Sequence, residues 1–286
     1  MSIETMSPRL PLIITRPAGP ARIWLAALQA QLPGRTCHVL PLIEIAPVAE
    51  PQWQQKLRQC WQELARYHAA VFVSPAAVEH FFTAQPQAAS RWQQQALRAW
   101  GVGPGTRRAL LGVGVPTHLI DSPSDEAQQF DSEALWPLVQ PQLAACKQAD
   151  KRILRVRGAD DEMSNGDGHA DDKSAGNGCD WLGAAITQAG VGLHSVAAYV
   201  RRRPVWGADQ MRAASALASE PAVWLFSSGL ALRHLAGLLP AQDWAQATAL
   251  STHPRIAQAA QAMGFGRVLV CRPSLPDVVQ SLQSAP

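Results

Sequence analysis

The sequence predicts an α/β protein of two similar doubly wound parallel-sheet lobes, joined by a two-stranded β linker with a cleft between them. Three observations lead there. Short apolar runs alternate with helical patterns along the whole 286 residues, the order expected of parallel sheets covered by helices. A chain of that length exceeds one small core. Two distant stretches also nearly repeat each other: Val71-Phe72-Val73-Ser74-Pro75 and Trp224-Leu225-Phe226-Ser227-Ser228, each passing directly into a helical pattern. Each reads as a strand that delivers a hydroxyl to the mouth of a sheet.

Taken in order, Leu12–Thr15 is an apolar strand, and Ala21–Leu32 a helix whose Ile23, Trp24, Ala27 and Leu28 fall at helical spacing. Cys37–Ile45 is extended, and its Pro41 marks an edge or a linker rather than a central strand. A tryptophan-bearing helix over 52–66 precedes the strand Ala70–Val73, which reaches Ser74. The helix Ala76–Phe82 leads through a polar stretch to the strand Arg98–Val102. There Gly103-Pro104-Gly105-Thr106 turns into the helix Arg107–Leu111, closed by Gly112–Gly114. Val115–Ile120 is read as a strand, Glu133–Leu143 as a helix, Arg152–Val156 as a strand, Trp181–Ala189 as a helix and Leu193–Arg201 as extended. From Ala222 the strand, serine turn and helix recur. Ser251-Thr252-His253 then leads the helix Ile256–Met263, followed by the strand Arg267–Cys271 and the helix Pro276–Leu282.

The repetition extends beyond the serine strands. Leu12–Pro17 parallels Ile153–Gly158, and Gly103–Ala109 parallels Ser251–Ala257, at similar offsets. One ancestral unit used twice accounts for this. If the two extended pieces pair, the chain leaves the first lobe, builds the second and returns. Residues 1–38 and 203–286 then form lobe 1, residues 46–194 lobe 2, and 39–45 with 195–202 the linker ribbon and hinge.

Composition narrows the function. No apolar run approaches a bilayer span, and Met1–Pro11 carries Arg9 but no apolar core, so neither a membrane span nor a signal peptide is read and a cytoplasmic location is expected. The five cysteines are scattered, with no CxxC pair, which speaks against a disulfide framework or structural zinc. Residues 159–180 hold seven acids and only Lys173, leaving 24 basic and 15 acidic residues elsewhere, a net +9. That body suits an anionic ligand. Nucleic acid is the weaker choice, because Arg201-Arg202-Arg203 is the one clustered basic run. The acidic stretch lacks the ligand spacing of a calcium loop and is read as a disordered surface insertion. Gly101-Val102-Gly103-Pro104-Gly105-Thr106 fails the dinucleotide fingerprint, since Thr106 holds the third glycine position.

The ordered set of motifs resembles the uroporphyrinogen-III synthase family. It comprises Ile14-Thr15-Arg16-Pro17, Phe72-Val73-Ser74-Pro75, Gly101–Thr106, Ile153–Gly158, Val196-Ala197-Ala198-Tyr199-Val200-Arg201-Arg202, Phe226-Ser227-Ser228 and Ser251–Ala257. The resemblance implies cyclisation of the linear tetrapyrrole hydroxymethylbilane with inversion of its last pyrrole ring and loss of water. It implies a lyase of haem biosynthesis with no metal or organic cofactor. The implied partners are the tetrapyrrole and, transiently, the enzyme that produces hydroxymethylbilane, with a monomeric chain and no nucleic acid or membrane. A two-lobed binding protein for an anionic small molecule is the alternative.

By the same resemblance Tyr199 assists departure of hydroxide; its alternative is structural packing in the linker. Arg16, Ser74, Gly103, Thr106, Arg157, Ser227, Ser228, Ser251, Thr252 and His253 are assigned to the substrate's carboxylates, through hydroxyls, arginines and backbone N–H groups at helix starts. For the serines the alternative is N-capping, which the same turn can combine with binding. For Arg16, Arg157 and His253 it is ordinary polar surface. The insertion after Gly158 makes a ligand role for Arg157 an open point.

Overall fold

The computed structural model describes residues 9–123, 132–148, 151–160 and 177–284. The chain divides into two compact units, unit 1 of Met1–Glu44 with Arg203–Pro286 and unit 2 of Ile45–Arg202. It opens with β1 (Leu12–Ile14), α1 (Ala18–Gln31), β2 (Cys37–Val39), β3 (Glu44–Pro47) and α2 (Pro51–Gln62). There follow β4 (Tyr67–Phe72), α3 (Pro75–Thr83), α4 (Ala88–Gln95), β5 (Arg98–Gly101), α5 (Pro104–Gly112) and β6 (Ile120–Asp121). Next come α6 (Ser132–Val139), α7 (Leu143–Gln148), β7 (Arg152–Asp160), α8 (Asn177–Gln188) and β8 (Gly192–Arg202). The chain ends with α9 (Ala208–Ser219), β9 (Val223–Phe226), α10 (Gly229–Leu238), β10 (Thr248–Ser251), α11 (Pro254–Ala262), β11 (Arg267–Val270) and α12 (Leu275–Ser284).

Unit 1 holds a five-stranded sheet in the order β2-β1-β9-β10-β11, and unit 2 a six-stranded one in the order β3-β8-β7-β4-β5-β6. The pairings β1 with β2 and β9, β10 with β9 and β11, β4 with β5 and β7, β5 with β6, and β7 with β8 are all parallel. The matches drawn from sequence, Leu12 with Ile153, Val71 with Trp224 and Gly103 with Ser251, equate β1 with β7, β9 with β4 and β10 with β5. Under that pairing β2-β1-β9-β10-β11 reads across as β8-β7-β4-β5-β6. The two sheets therefore share one strand order, entered by the chain at different points. Each reverses direction beside β1 or β7, which puts a topological switch point at β1/β9 and another at β7/β4.

The central strands are apolar on both sides because helices cover both faces. Every residue of β1 and β9 is buried. In unit 2 one face packs Phe72, Leu154 and Val156 against Trp61, Phe81 and Trp92, and the other packs Val71, Trp100 and Ile153 against Leu182 and Ile186. In unit 1 Leu12, Ile14 and Leu225 meet α1 and α12, and Trp224 and Phe226 stack among Trp244 and Phe265.

Several expectations are corrected. Cys37–Ile45 is not one extended piece: β2 stops at Val39, and the buried His234 donates from Nδ1 to Leu42 O at 2.6 Å across the break. β3 does lie beside β8, as the edge of the second sheet rather than as a free ribbon, since β8 pairs with β7 along its length. Val115–Ile120 yields only a 3-10 turn at Thr117–Leu119 before the two-residue β6. α4 and α9 fall where no helix is expected. Of the expected insertion, residues 161–176 lie outside the described residues. Its ends are regular: β7 continues through Ala159 and Asp160, and α8 begins at Asn177.

Candidate functional site

Three helices begin with proline directly after a small or polar strand end: α3 at Pro75 after Ser74, α5 at Pro104 after Gly103, and α11 at Pro254 after His253. Proline has no N–H to lose at the first helical position and its φ is already helical. Each helix thus starts closer to its strand than periodicity indicates, and its first free N–H groups stand at the sheet edge. Partial positive charge gathers there, as anion binding requires.

In unit 2, Ser74 caps α3, its Oγ accepting the Ala77 N–H at 3.1 Å, and the same oxygen lies 3.2 Å from the Tyr199 hydroxyl. The start of α5 is close by: a Cβ on Gly105 would sit 3.4 Å from Pro75 Cγ. Gly103 is buried and extended, and Thr106 is only 2 % exposed. Thr106 therefore offers its backbone N–H at the helix start while its methyl faces Gly101. Arg157 is buried within β7, next to Gly158. The Tyr199 ring is also buried, and stacks on His80 of α3 at 5.7 Å between centroids. Burial holds His80 below the usual histidine pKa, against a smaller opposing effect of Glu79, so its imidazole is neutral at neutral pH. A recess of about 330 Å³, lined by Val48, Leu57, Arg58, His80, Thr83 and Ala198 among others, adjoins this stack.

In unit 1 the neighbouring strands β1, β9 and β10 end level, Ile14 opposite Leu225 and Ser251 opposite Phe226. Beyond them stand Arg16, then Ser227 and Ser228, then Thr252 and His253. The buried Thr15 hydroxyl donates to Leu225 O at 2.7 Å, tying two strands at the switch point. Ser228 caps α10 by accepting the Leu230 N–H at 3.2 Å. His253 caps α11, Nδ1 accepting the Arg255 N–H at 3.1 Å, so its ring proton sits on the exposed Nε2. Ser251 is fully buried and its hydroxyl has no hydrogen-bond partner. The Arg16 guanidinium lies 3.9 Å from the centre of the Trp24 ring, its Nε buried without a partner, and burial lowers its pKa to about 10. It remains a cation at neutral pH.

The eleven residues singled out from sequence thus fall into two sets, one at the C-terminal edge of each sheet: Ser74, Gly103, Thr106, Arg157 and Tyr199 in unit 2, and the remaining six in unit 1. Sequence reasoning missed His80 and the part played by Gly158 beside Tyr199. His80 had a readable signal, since it lies six residues after Ser74 on the same helix. Among the described residues no group of three His, Cys, Asp or Glu side chains could hold a metal ion, and no helix is long and apolar enough to cross a membrane.

A family model described as Uroporphyrinogen-III synthase HemD matches residues 26–165. That stretch, just under half of the chain, is similar to the uroporphyrinogen-III synthase family. Solved members of that family share its fold at low identity. The uroporphyrinogen-III synthetase of Helicobacter pylori is 14 % identical with a TM-score of 0.58, covering 96 % of this chain and 99 % of its own. A mutant uroporphyrinogen III synthase of Thermus thermophilus is 15 % identical with a TM-score of 0.50, covering 96 % and 97 %. No curated protein sequence matches this one. The matched family model and the solved structures are of uroporphyrinogen-III synthases, and no comparison supports the non-catalytic binding-protein alternative.

Proposed function

We propose that the chain is a uroporphyrinogen-III synthase in which Tyr199, paired with Ser74, assists departure of the hydroxyl of hydroxymethylbilane. The observation that carries the assignment of roles is the contact between the Tyr199 hydroxyl and Ser74 Oγ at the β7/β4 switch point, beside two helix starts. When the C–O bond breaks, its electrons go to oxygen and the pyrrole nitrogen supplies the pair that forms the azafulvenium. Ser74 is half-buried and Tyr199 buried, so Ser74 is the outer partner: it passes a proton to the leaving hydroxide and takes one from the phenol. Water leaves. The proton freed when the attacked pyrrole ring becomes aromatic again restores the phenol, so atoms and charge balance.

Ring inversion demands control of shape rather than strong acid or base, because the azafulvenium closes without inversion if left alone. The two sheet edges are the proposed carboxylate-binding surfaces. Helix-start N–H groups after Ser74, Gly103, Ser228 and His253 meet carboxylates, aided by Arg16, Arg157, Ser227, Thr252 and the Nε2–H of His253, whereas the fully buried Ser251 hydroxyl is left without a carboxylate-binding role. Thr106 takes part through its backbone, given its burial. The finer reading is of a cyclising hydro-lyase that is cytoplasmic, monomeric and cofactor-free, with transient contact to the enzyme that supplies its substrate.

Incubation with hydroxymethylbilane, followed by oxidation and chromatography of the porphyrin isomers, tests the activity: type III is expected, and type I alone would remove the assignment. Tyr199→Phe is expected to lower kcat at least several-fold, and wild-type turnover by that variant would remove the proton-donor role.

A further inference from the structure

β7 and β8 run in register from Arg152 opposite Gly192 to Arg157 opposite Ala197, after which Gly158 stands opposite Tyr199. One residue of β8, Ala198, is therefore extra. Such a bulge re-aims the side chains that follow it. Here the re-aimed group is the Tyr199 phenol, and it lies directly against Gly158: a Cβ on that glycine would stand 2.5 Å from Tyr199 Cε2, 2.8 Å from the hydroxyl oxygen and closer still to Cζ. The ring is part of the packed core and cannot swing aside freely. What the site needs from Gly158 is empty space, not an unusual φ.

We propose that Gly158 is a positioning residue for the Tyr199 phenol. The missing side chain, the Ala198 bulge and the His80 stack together set the hydroxyl on Ser74. Its kinetic consequence rests on the reading of Tyr199 as proton donor; its structural consequence does not. Neither Gly158 nor His80 touches the reacting atoms in this account, and both act through the ring.

The chain has two tyrosines, Tyr67 and Tyr199, so protein labelled with ¹³Cζ-tyrosine gives two phenol resonances, and Tyr199→Phe identifies them by removing one. Gly158→Ala is expected to shift the Tyr199 resonance and leave that of Tyr67 in place. It should lower kcat by about 10- to 100-fold, the effect of a displacement of about 1 Å at a reacting group, with KM changed less than about twofold. Gly158→Ala combined with Tyr199→Phe should be no slower than Tyr199→Phe alone. An unmoved Tyr199 resonance, or losses that multiply in the double variant, overturns the proposal. Should Gly158→Ala fail to fold, His80→Leu inserts no atoms against the ring and is read the same way: a shifted resonance supports the seat, an unmoved one overturns it. If Tyr199→Phe itself turns over at the wild-type rate, the proton-donor reading falls by itself and the resonance shift still decides the positioning.

Discussion

Replacing Arg16 by methionine is expected to stabilise unit 1 while weakening substrate binding. The guanidinium is largely out of water against Trp24, and burial lowers its pKa from 12.5 to about 10. Because the folded-state pKa of this cation is depressed, folding disfavours its charged form. The penalty is fully present at neutral pH and is relieved only as pH rises through about 10. Its size is about 3 kcal/mol at most, and attraction to the Trp24 face offsets about 0.5–2 kcal/mol of that. Partial exposure of Arg16 trims the figure further. Methionine keeps the unbranched stem and a favourable sulfur contact with the ring, so the net gain is about 1–2 kcal/mol. Hydrogen exchange of the Ile13 and Leu225 amides is the suitable measurement, since a chain of two units need not unfold in one step. A loss of more than about 1 kcal/mol in Arg16→Met would refute the desolvation argument. An unchanged KM would refute the assignment of Arg16 to a substrate carboxylate.

Two further outcomes follow from the core of unit 2. Trp92 is fully buried among Trp61, Phe72, Phe81 and Phe82, so Trp92→Ala should cost about 3–5 kcal/mol in urea unfolding. Trp92→Phe should cost much less, because the indole Nε1 is buried without a partner and its loss is no penalty; equal costs would show the reverse. Burial lowers the pKa values of His68, His80 and His194 below 6.5, with nearby cations adding to the effect at His68 and His194. The unfolded chain therefore binds protons that the folded unit does not, and stability is expected to fall as pH drops below about 6.5. Thermal melts at pH 7.5, 6.0 and 5.0 check this, and a rising midpoint on acidification would contradict it.

The alternation of strands and helices and the serine-bearing strand ends were legible because they depend on local signals: apolar runs, a hydroxyl, then helical spacing. The misreadings have physical causes. Helix starts were placed late wherever proline occupied the first position. α4 escaped notice because only Trp92 and Ala88 of its eight residues are buried, and because its two flanking left-handed positions are Gln87 and Ala96 rather than glycine. β6 was overdrawn because an apolar run cannot distinguish a strand from a 3-10 turn. At the site, Tyr199 and Ser74 could each be singled out from motifs, yet their contact spans 125 residues and depends on a bulge that leaves no mark in sequence. For the same reason the room that Gly158 leaves for the Tyr199 ring could not be read from the chain.

The shared strand order, entered at different points, sets a sequence for how the chain matures during synthesis. Unit 2 has all its strands once Arg202 has emerged. Unit 1 cannot close its sheet until β9 arrives to pair with β1, Leu12 meeting Val223. Until then β1 and β2 are a two-stranded fragment with the β1 edge open, too small to persist by itself. Proteins released early should therefore contain a finished second unit and an unfinished first one, and the aggregation-prone interval of biosynthesis lies between those two completions.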